Sequence, residues 1–241
     1  MNKYRSLLIH DIRHAGLDPV LMTGFLAPMA LLVISRYIFP IVAVWLMSSY
    51  SLDIYNYSSF TAVFLVMTVP MLTGMMTGLL MLDERDENII SYYAITPLMR
   101  RGYMLYRLIL PSMLCILLSS SYLIFSGRSE IHSGIIFILL LLAIEAPCYT
   151  LFLAAFAANK VEGLALAKIG GLLIAGPAAA YFVPGAWQLL GAWIPTYWPA
   201  EAFFAIEQGR PYTAIADFGV GLIFHLALLC VMVKIFVKRV D

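Results

Sequence analysis

Long apolar runs constrain this chain before anything else does. Six stretches, at about 19–37, 58–82, 103–125, 133–158, 163–183 and 212–237, are dense in Leu, Ile, Val, Phe, Met and Ala. A helix rises about 1.5 Å per residue, so a hydrocarbon core of about 30 Å takes about 20 residues to cross. Lipid offers the backbone no hydrogen bonds, and runs of this length satisfy themselves as helices. The expectation is an all-α integral membrane protein with six transmembrane helices in a single transmembrane domain over residues 1–241. Charged residues make up 12% of the chain and hydrophobic ones 62%, whereas a soluble domain carries about 25% charged residues. The formal net charge of +1 makes no case for nucleic acid as a partner. Cys115, Cys148 and Cys230 all lie inside apolar runs, the pattern of membrane-packing residues rather than of a disulfide framework. The first eighteen residues are too polar for a signal-peptide core, so the first apolar run is expected to remain as an anchor.

The stretches between the runs carry their own signals. Over residues 2–16, Tyr4, Leu7, Leu8, Ile12 and Ala15 share one helical face, and Lys3, Arg5, Asp11 and Arg13 occupy the rest. That narrow stripe with basic flanks predicts a helix lying on the membrane surface. Asp18-Pro19 then opens the first span, proline being tolerated in a first turn. Arg36 interrupts that span and Pro40 follows it. Arg36 either snorkels to the outer interface from a span ending near Tyr37 or belongs to one long projecting helix. The first reading is favoured, with 38–50 as a surface or re-entrant piece. Gly74 and Gly78 form G-x-x-x-G, which lets helices approach closely, within the bundle or at a dimer seam. Residues 184–211 are too rich in Pro, Gly and Trp for a straight helix and read as a broken outer segment before the sixth span. Trp187, Trp193, Tyr197 and Trp198 read there as an interfacial belt, and Ala200–Glu207 as a short re-entrant or surface helix.

Orientation follows from Lys and Arg near the span ends. Arg36, Arg128 and Arg210 fall on one side and the other twelve of the fifteen basic residues on the opposite side. Both termini and the 82–107 stretch are therefore expected in the cytoplasm of a multi-pass inner (plasma) membrane protein. Enzyme signatures are missing: no G-x-x-x-x-G-K-[ST] phosphate loop, no H-E-x-x-H, no G-x-S-x-G and no metal-like histidine spacing. Nothing here predicts a catalytic residue or a cofactor on this chain. His225 stands alone in the sixth span and reads as a packed, hydrogen-bonded histidine. Ser119, Ser120 and Ser121 have no neighbouring base and are expected to bond carbonyls one turn back. Glu145 is the one acid well inside a span, and an ionised carboxylate at mid-bilayer costs about 3 kcal/mol on insertion scales. It reads either as a gating or substrate-route contact or as a hydrogen bond into the gap that Pro147 opens.

Residues 82–107, LDERDENIISYYAITPLMRRGYMLYR, concentrate charge in a chain that has little. Asp83 to Glu87 are expected in the first turns of a short helix spanning 83–96, where acids favour the helix dipole. Ile89, Ile90 and Tyr93 supply an apolar side, Thr96-Pro97 stops the helix, and Arg100 and Arg101 anchor the next span. A partner groove could clasp such a helix and push on both adjoining spans.

The run Glu84-Arg85-Asp86-Glu87-Asn88-Ile89-Ile90, followed by Ala94-Ile95-Thr96-Pro97-Leu98 and Tyr103, resembles the E-R-E-x-G-T-L…T-P-L-S…Y run of ABC-2 type permease subunits. The Asn159-Lys160-Val161-Glu162-Gly163 turn resembles fluoroquinolone-export-like permeases. Asn88 stands where glycine is common and Met99 where serine is common. The resemblance implies that 83–96 is a cytoplasmic coupling helix docking on a separate ABC ATPase subunit, which would bind ATP and Mg. It also implies a pathway built by two permease copies or paralogues. Glu84, Arg85, Asp86 and Glu87 would then be polar docking contacts and Ile89, Ile90 and Tyr93 apolar ones, with drug-like, peptide or lipid-like cargo exported. The competing readings are an ATP-independent secondary transporter and a heme-handling permease of the same class.

Overall fold

The computed structural model describes residues 2–94, 99–127 and 134–240, and among them all regular structure is helical. In chain order the α-helices are α1 (Asn2–Leu17), α2 (Pro19–Val33), α3 (Phe39–Tyr50), α4 (Ser58–Asp86), α5 (Ile89–Ala94), α6 (Met99–Phe125), α7 (Ile135–Phe156), α8 (Lys160–Ala167), α9 (Ala175–Phe182), α10 (Tyr197–Glu207) and α11 (Pro211–Val240). Six helical stretches are long and apolar enough to cross a membrane: Pro19–Tyr50, Ile54–Asp86, Arg101–Phe125, Ile135–Phe156, Lys160–Phe182 and Pro211–Arg239. The proposed stop at Thr96-Pro97 and the basic residue Arg128 lie outside the described residues.

The first span departs from expectation. It does not end near Tyr37: α2 continues through a π-helical turn, Ile34–Ile38, directly into α3, giving 32 helical residues. At about 1.5 Å per residue that is about 48 Å, well beyond a hydrocarbon core of about 30 Å. The π turn reconciles Pro40 with a continuous helix. Proline cannot donate to the carbonyl one turn back, and the wider turn bonds Phe39 N–H to the Ile34 carbonyl instead. It also turns Ser35 fully inward, where the Tyr122 hydroxyl donates to its Oγ at 3.1 Å.

α7 is the centre of the bundle, packed against α4, α6 and α11. Ile138, Leu141, Leu142, Ala146, Leu151 and Leu153 are fully buried along it. Gly74 and Gly78 of α4 face α7: a Cβ at Gly74 would lie 2.5 Å from the Ala146 carbonyl oxygen, and one at Gly78 3.1 Å from the Thr150 carbonyl oxygen. The missing side chains also let the Thr150 hydroxyl donate to the Gly74 carbonyl at 3.2 Å. Pro147 denies a partner to the Ala143 carbonyl, and the Ser112 hydroxyl of α6 supplies one at 2.6 Å.

The fifth span is α8, a 3-10 stretch Lys168–Ile174, and α9. Asn159 caps its start, Asn159 Oδ1 accepting from Glu162 N–H at 2.9 Å, and the Glu162 carboxylate accepts from the N–H of Ala158, just before the cap, at 2.6 Å. The outer segment is a 3-10 helix, Gly185–Trp193, followed by α10. Trp187 and Trp193 are exposed as an interfacial belt requires, whereas Tyr197 is buried, because α10 packs into the bundle through Ala200, Phe203 and Phe204. Ser120 and Ser121 both donate to the Leu117 carbonyl, at 3.0 and 2.7 Å.

Candidate functional site

The charged stretch is built differently from the helix its sequence suggests. Asp83 to Asp86 are the last turn of α4, and only Ile89–Ala94 forms the separate short helix. The break falls at Asn88, whose φ of 60° is left-handed. Asparagine tolerates that region better than most residues, so it fills a position where glycine is the usual solution. The acids are thus not at a helix N-terminus, and the dipole argument for them does not apply.

Glu84 points inward and is 2% exposed. It meets Arg107 of α6, which is fully buried and shared with Asp11 of α1. Arg107 donates to Asp11 through Nη1 at 2.7 Å and Nη2 at 3.0 Å, and to Glu84 through Nε at 3.1 Å and also through Nη2. The Tyr103 hydroxyl donates to Glu84 at 2.6 Å and the Tyr106 hydroxyl to Asp11 at 2.7 Å. The guanidinium lies 5.5 and 5.3 Å from the two tyrosine ring centres. A buried cation survives only where its charge and donors are matched, and here two carboxylates and two phenols do so. Tyr93 of α5 stacks on Tyr103 with ring centres 5.3 Å apart. Burial is the main reason its phenol is pushed above the ordinary value. The short helix is therefore clamped to α1, α4 and α6 together.

Two further ties lie at the same end of the bundle. Lys160 at the start of α8 bonds Asp18, the N-cap of α2, at 2.5 Å and Asp83 at 2.6 Å. The Lys160 ammonium holds the Asp18 carboxyl below the usual aspartate range, outweighing the opposite effect of its partial burial. Arg85 donates to the Ala154 and Ala157 carbonyls at 3.0 and 2.6 Å, and Arg239 of α11 donates to Ala155. These arginines satisfy carbonyls at the end of α7 and place positive charge at its negative pole.

The expected docking residues therefore divide. Glu84 and Ile90 are buried and Arg85 is bonded to carbonyls of α7, so these three face the bundle rather than the surface expected of docking residues. The physical reason is the continuation of α4, which carries position 84 one turn below the break and onto its inner face. Asp86 and Glu87 are exposed, and Ile89 and Tyr93 half-exposed. Sequence reasoning missed Asp11, Tyr103, Tyr106, Arg107 and Lys160. Tyr103 and Arg107, spaced by four at the start of an apolar span, carried the signal, since a charge inside such a run needs a partner.

A second polar pair lies halfway along the spans. Glu145 of α7 is 2% exposed and His225 of α11 fully buried, with Glu145 Oε2 3.7 Å from His225 Nε2. His225 Nδ1 contacts the Gly221 carbonyl at 2.7 Å. Glu145 does not fill the gap beside Pro147, which Ser112 occupies.

The sequence profile of the Rv2686c-like family, described as fluoroquinolones export permease protein Rv2686c-like, matches residues 11–233. Two curated relatives from Mycobacterium tuberculosis are the fluoroquinolones export permease proteins MT2760, of strain CDC 1551 / Oshkosh, and Rv2686c, of strain ATCC 25618 / H37Rv. Each is 27% identical over 232 residues, covering 94% of this chain and 91% of the relative. No solved structure matches the chain. The matched region takes in five spans and most of the sixth, the Asp11–Arg107–Glu84 cluster and the Glu145–His225 pair, and the chain belongs to the Rv2686c-like family of export permeases.

Proposed function

We propose that this chain is the membrane subunit of an ABC-2 type exporter, working as a dimer of permeases and driven by a separate ATP-binding subunit that holds ATP and Mg. The observation that carries the reading is the clamp around Arg107. A partner pressing on Asp86, Glu87, Ile89 and Tyr93 would move a rigid unit, because Tyr93, through Tyr103, Glu84, Arg107 and Asp11, ties α5 to α1, α4 and α6. Through Arg85 and Lys160 the push would reach α7, α2 and α8. The Lys/Arg asymmetry supports placing that end, with both termini, in the cytoplasm. The relatives' names make fluoroquinolones the first cargo to try.

The test is affinity purification of the tagged chain from its native membrane, followed by transport in inside-out vesicles. A co-purifying subunit bearing G-x-x-x-x-G-K-[ST] and ATP-dependent uptake of a fluoroquinolone would support the reading. Uptake that persists without ATP and without such a subunit would overturn it. The ATP-independent carrier is the second reading, favoured by the ionisable pair Glu145–His225 in mid-span, and it predicts uptake driven by a pH gradient alone.

A further inference from the structure

The Glu145–His225 pair lies beside an apolar cavity that the coupling clamp does not use. The cavity has a volume of about 250 Å³ and lies between α7, the 3-10 stretch Lys168–Ile174 and α11. Tyr149, Phe152, Leu173, Leu228 and Met232 form its walls, and Glu145 is the one ionisable side chain on them apart from Cys148 and Tyr149. Tyr149 and Phe152 stand side by side with ring centres 5.9 Å apart, and the Tyr149 hydroxyl already donates to Ala167 at 2.9 Å.

Among the described residues neither Glu145 oxygen has a hydrogen-bond partner, and neither does His225 Nε2. The Gly221 carbonyl, 2.7 Å from Nδ1, accepts a hydrogen bond from that nitrogen, so in the neutral imidazole Nε2 is a lone pair. With the imidazole neutral, the two Glu145 oxygens and His225 Nε2 are all acceptors without a donor of their own. At 3.7 Å the carboxylate and imidazole do not bond each other. A carboxylate taken from water without a donor is costly, and a cationic N–H group beside it would offset that cost. The ordinary local donors are already committed. The Ser112 hydroxyl is on Ala143, and Cys148 Sγ points to the His225 carbonyl at 3.8 Å.

We infer that this cavity is a binding site for a protonated organic amine with a compact aromatic or aliphatic body, its ammonium held by the Glu145 carboxylate on the cavity wall, with His225 behind that carboxylate. A primary or secondary ammonium supplies at least two N–H donors for those acceptors, which a bare metal ion or a neutral alcohol does not. The apolar body packs against Phe152, Leu173, Leu228 and Met232, and the aromatic faces of Tyr149 and Phe152 favour the cation further. The volume is below the range of about 300–1,000 Å³ common for drug-sized ligands, so a one- or two-ring body fits. Taking this amine as cargo rests on the export reading; the binding itself does not.

The probe is naphthylmethylamine, with naphthylmethanol as its neutral counterpart, in equilibrium dialysis against the full chain in phosphatidylglycerol nanodiscs. Empty discs are subtracted, and the buffer is at about pH 7, where the amine is charged. The expected result is saturable binding of the amine at one site per chain. It should weaken about tenfold or more in E145Q, and similarly in L173W, which fills the cavity and keeps both polar residues. Retention of tight amine binding in both variants, equal binding of the alcohol, or no saturable binding to the wild type overturns the site. L173W decides if E145Q does not fold, as judged by monodispersity. Adding an ethanolamine phospholipid distinguishes sources: displacement of the probe assigns the native amine to the bilayer, and its persistence to a soluble compound. Both results keep the site. ATP and the partner subunit are absent from this assay, so its failure leaves the ATP-driven reading untouched.

Discussion

Arg107 grips Asp11 with two parallel hydrogen bonds of 2.7 and 3.0 Å, although 96 residues of chain separate them. The same guanidinium bonds Glu84, so one side chain fixes α1 and two spans to each other. Bidentate geometry makes the tie orientational as well as attractive.

Removing that cation should be far worse than removing one of its partners. Arg107→Leu leaves two buried carboxylates facing each other, a change worth about 3–5 kcal/mol. Glu84→Gln keeps an acceptor for Tyr103 and should cost about 1–3 kcal/mol. Combining Arg107→Leu with Asp11→Asn and Glu84→Gln should recover part of the loss. Thermal unfolding in detergent, followed by size-exclusion recovery, measures the series. A triple variant no more stable than Arg107→Leu alone would show that the cluster's charge balance is not what holds this end together.

The α4–α7 seam gives a steric prediction. A methyl group at Gly74 meets the Ala146 carbonyl at 2.5 Å, and that backbone has no room to shift inside the central helix. Gly74→Ala should destabilise by about 1–3 kcal/mol, as overpacked cores do. Gly219→Ala, with nothing within 4 Å of the new carbon, should be neutral or stabilising by up to about 1 kcal/mol. Equal melting temperatures for the two variants would contradict the close approach.

Much of the architecture was legible because lipid leaves the backbone few choices. The six spans, the all-helical class and the broken segment before α11 follow from apolar run length and from Pro, Gly and Trp placement. The first span was misread because Arg36 and Pro40 look like an ending, and a π turn that absorbs a proline has no sequence signature of its own. Glu84 was misplaced for a related reason. Nothing in D-E-R-D-E-N says that α4 runs on to Asp86, and one extra turn converts an outward acid into a buried one. Asp11 read as the polar side of a surface helix, and only its partner on α6 reveals it as buried. Long-range pairings such as Asp11–Arg107 and Glu145–His225 depend on how helices pack, which periodicity within one helix does not encode.

Glu201 supplies a pH dependence. It sits on α10, outside the spans, where burial and then the nearby Asp217 raise its pKa above 4.5, with Tyr197 and Arg210 pulling the other way. An acid whose folded pKa is raised binds its proton more tightly in the native state than in the unfolded one. Its contribution is fully present below about pH 4.5 and is lost as pH rises through the raised folded value. Glu201→Gln should therefore raise the melting temperature at neutral pH and flatten the wild type's gain on acidification between neutrality and about pH 4.5. Parallel wild-type and variant curves across that window would show that Glu201 does not titrate as its surroundings dictate.

The last prediction separates holding the loop from using it. Asp86 and Glu87 are exposed beside the left-handed break at Asn88, and among the described residues neither carboxylate has a hydrogen bond or ion pair, Asp86 acting only through the field at Arg85, whereas Glu84 is enclosed by Arg107 and Tyr103. Asp86→Lys with Glu87→Lys should leave unfolding unchanged within about 0.5 kcal/mol, as surface substitutions do. If an ATPase docks here, that double variant should lose co-purification of the partner and ATP-dependent uptake together. Glu84→Gln should do the reverse, lowering the melting temperature and yield while the folded fraction still retains its partner. Partner retention and full transport by the Asp86→Lys, Glu87→Lys chain would move the docking surface away from this loop. Loss of fold in that chain would mean the two acids support the clamp, against their position outside it.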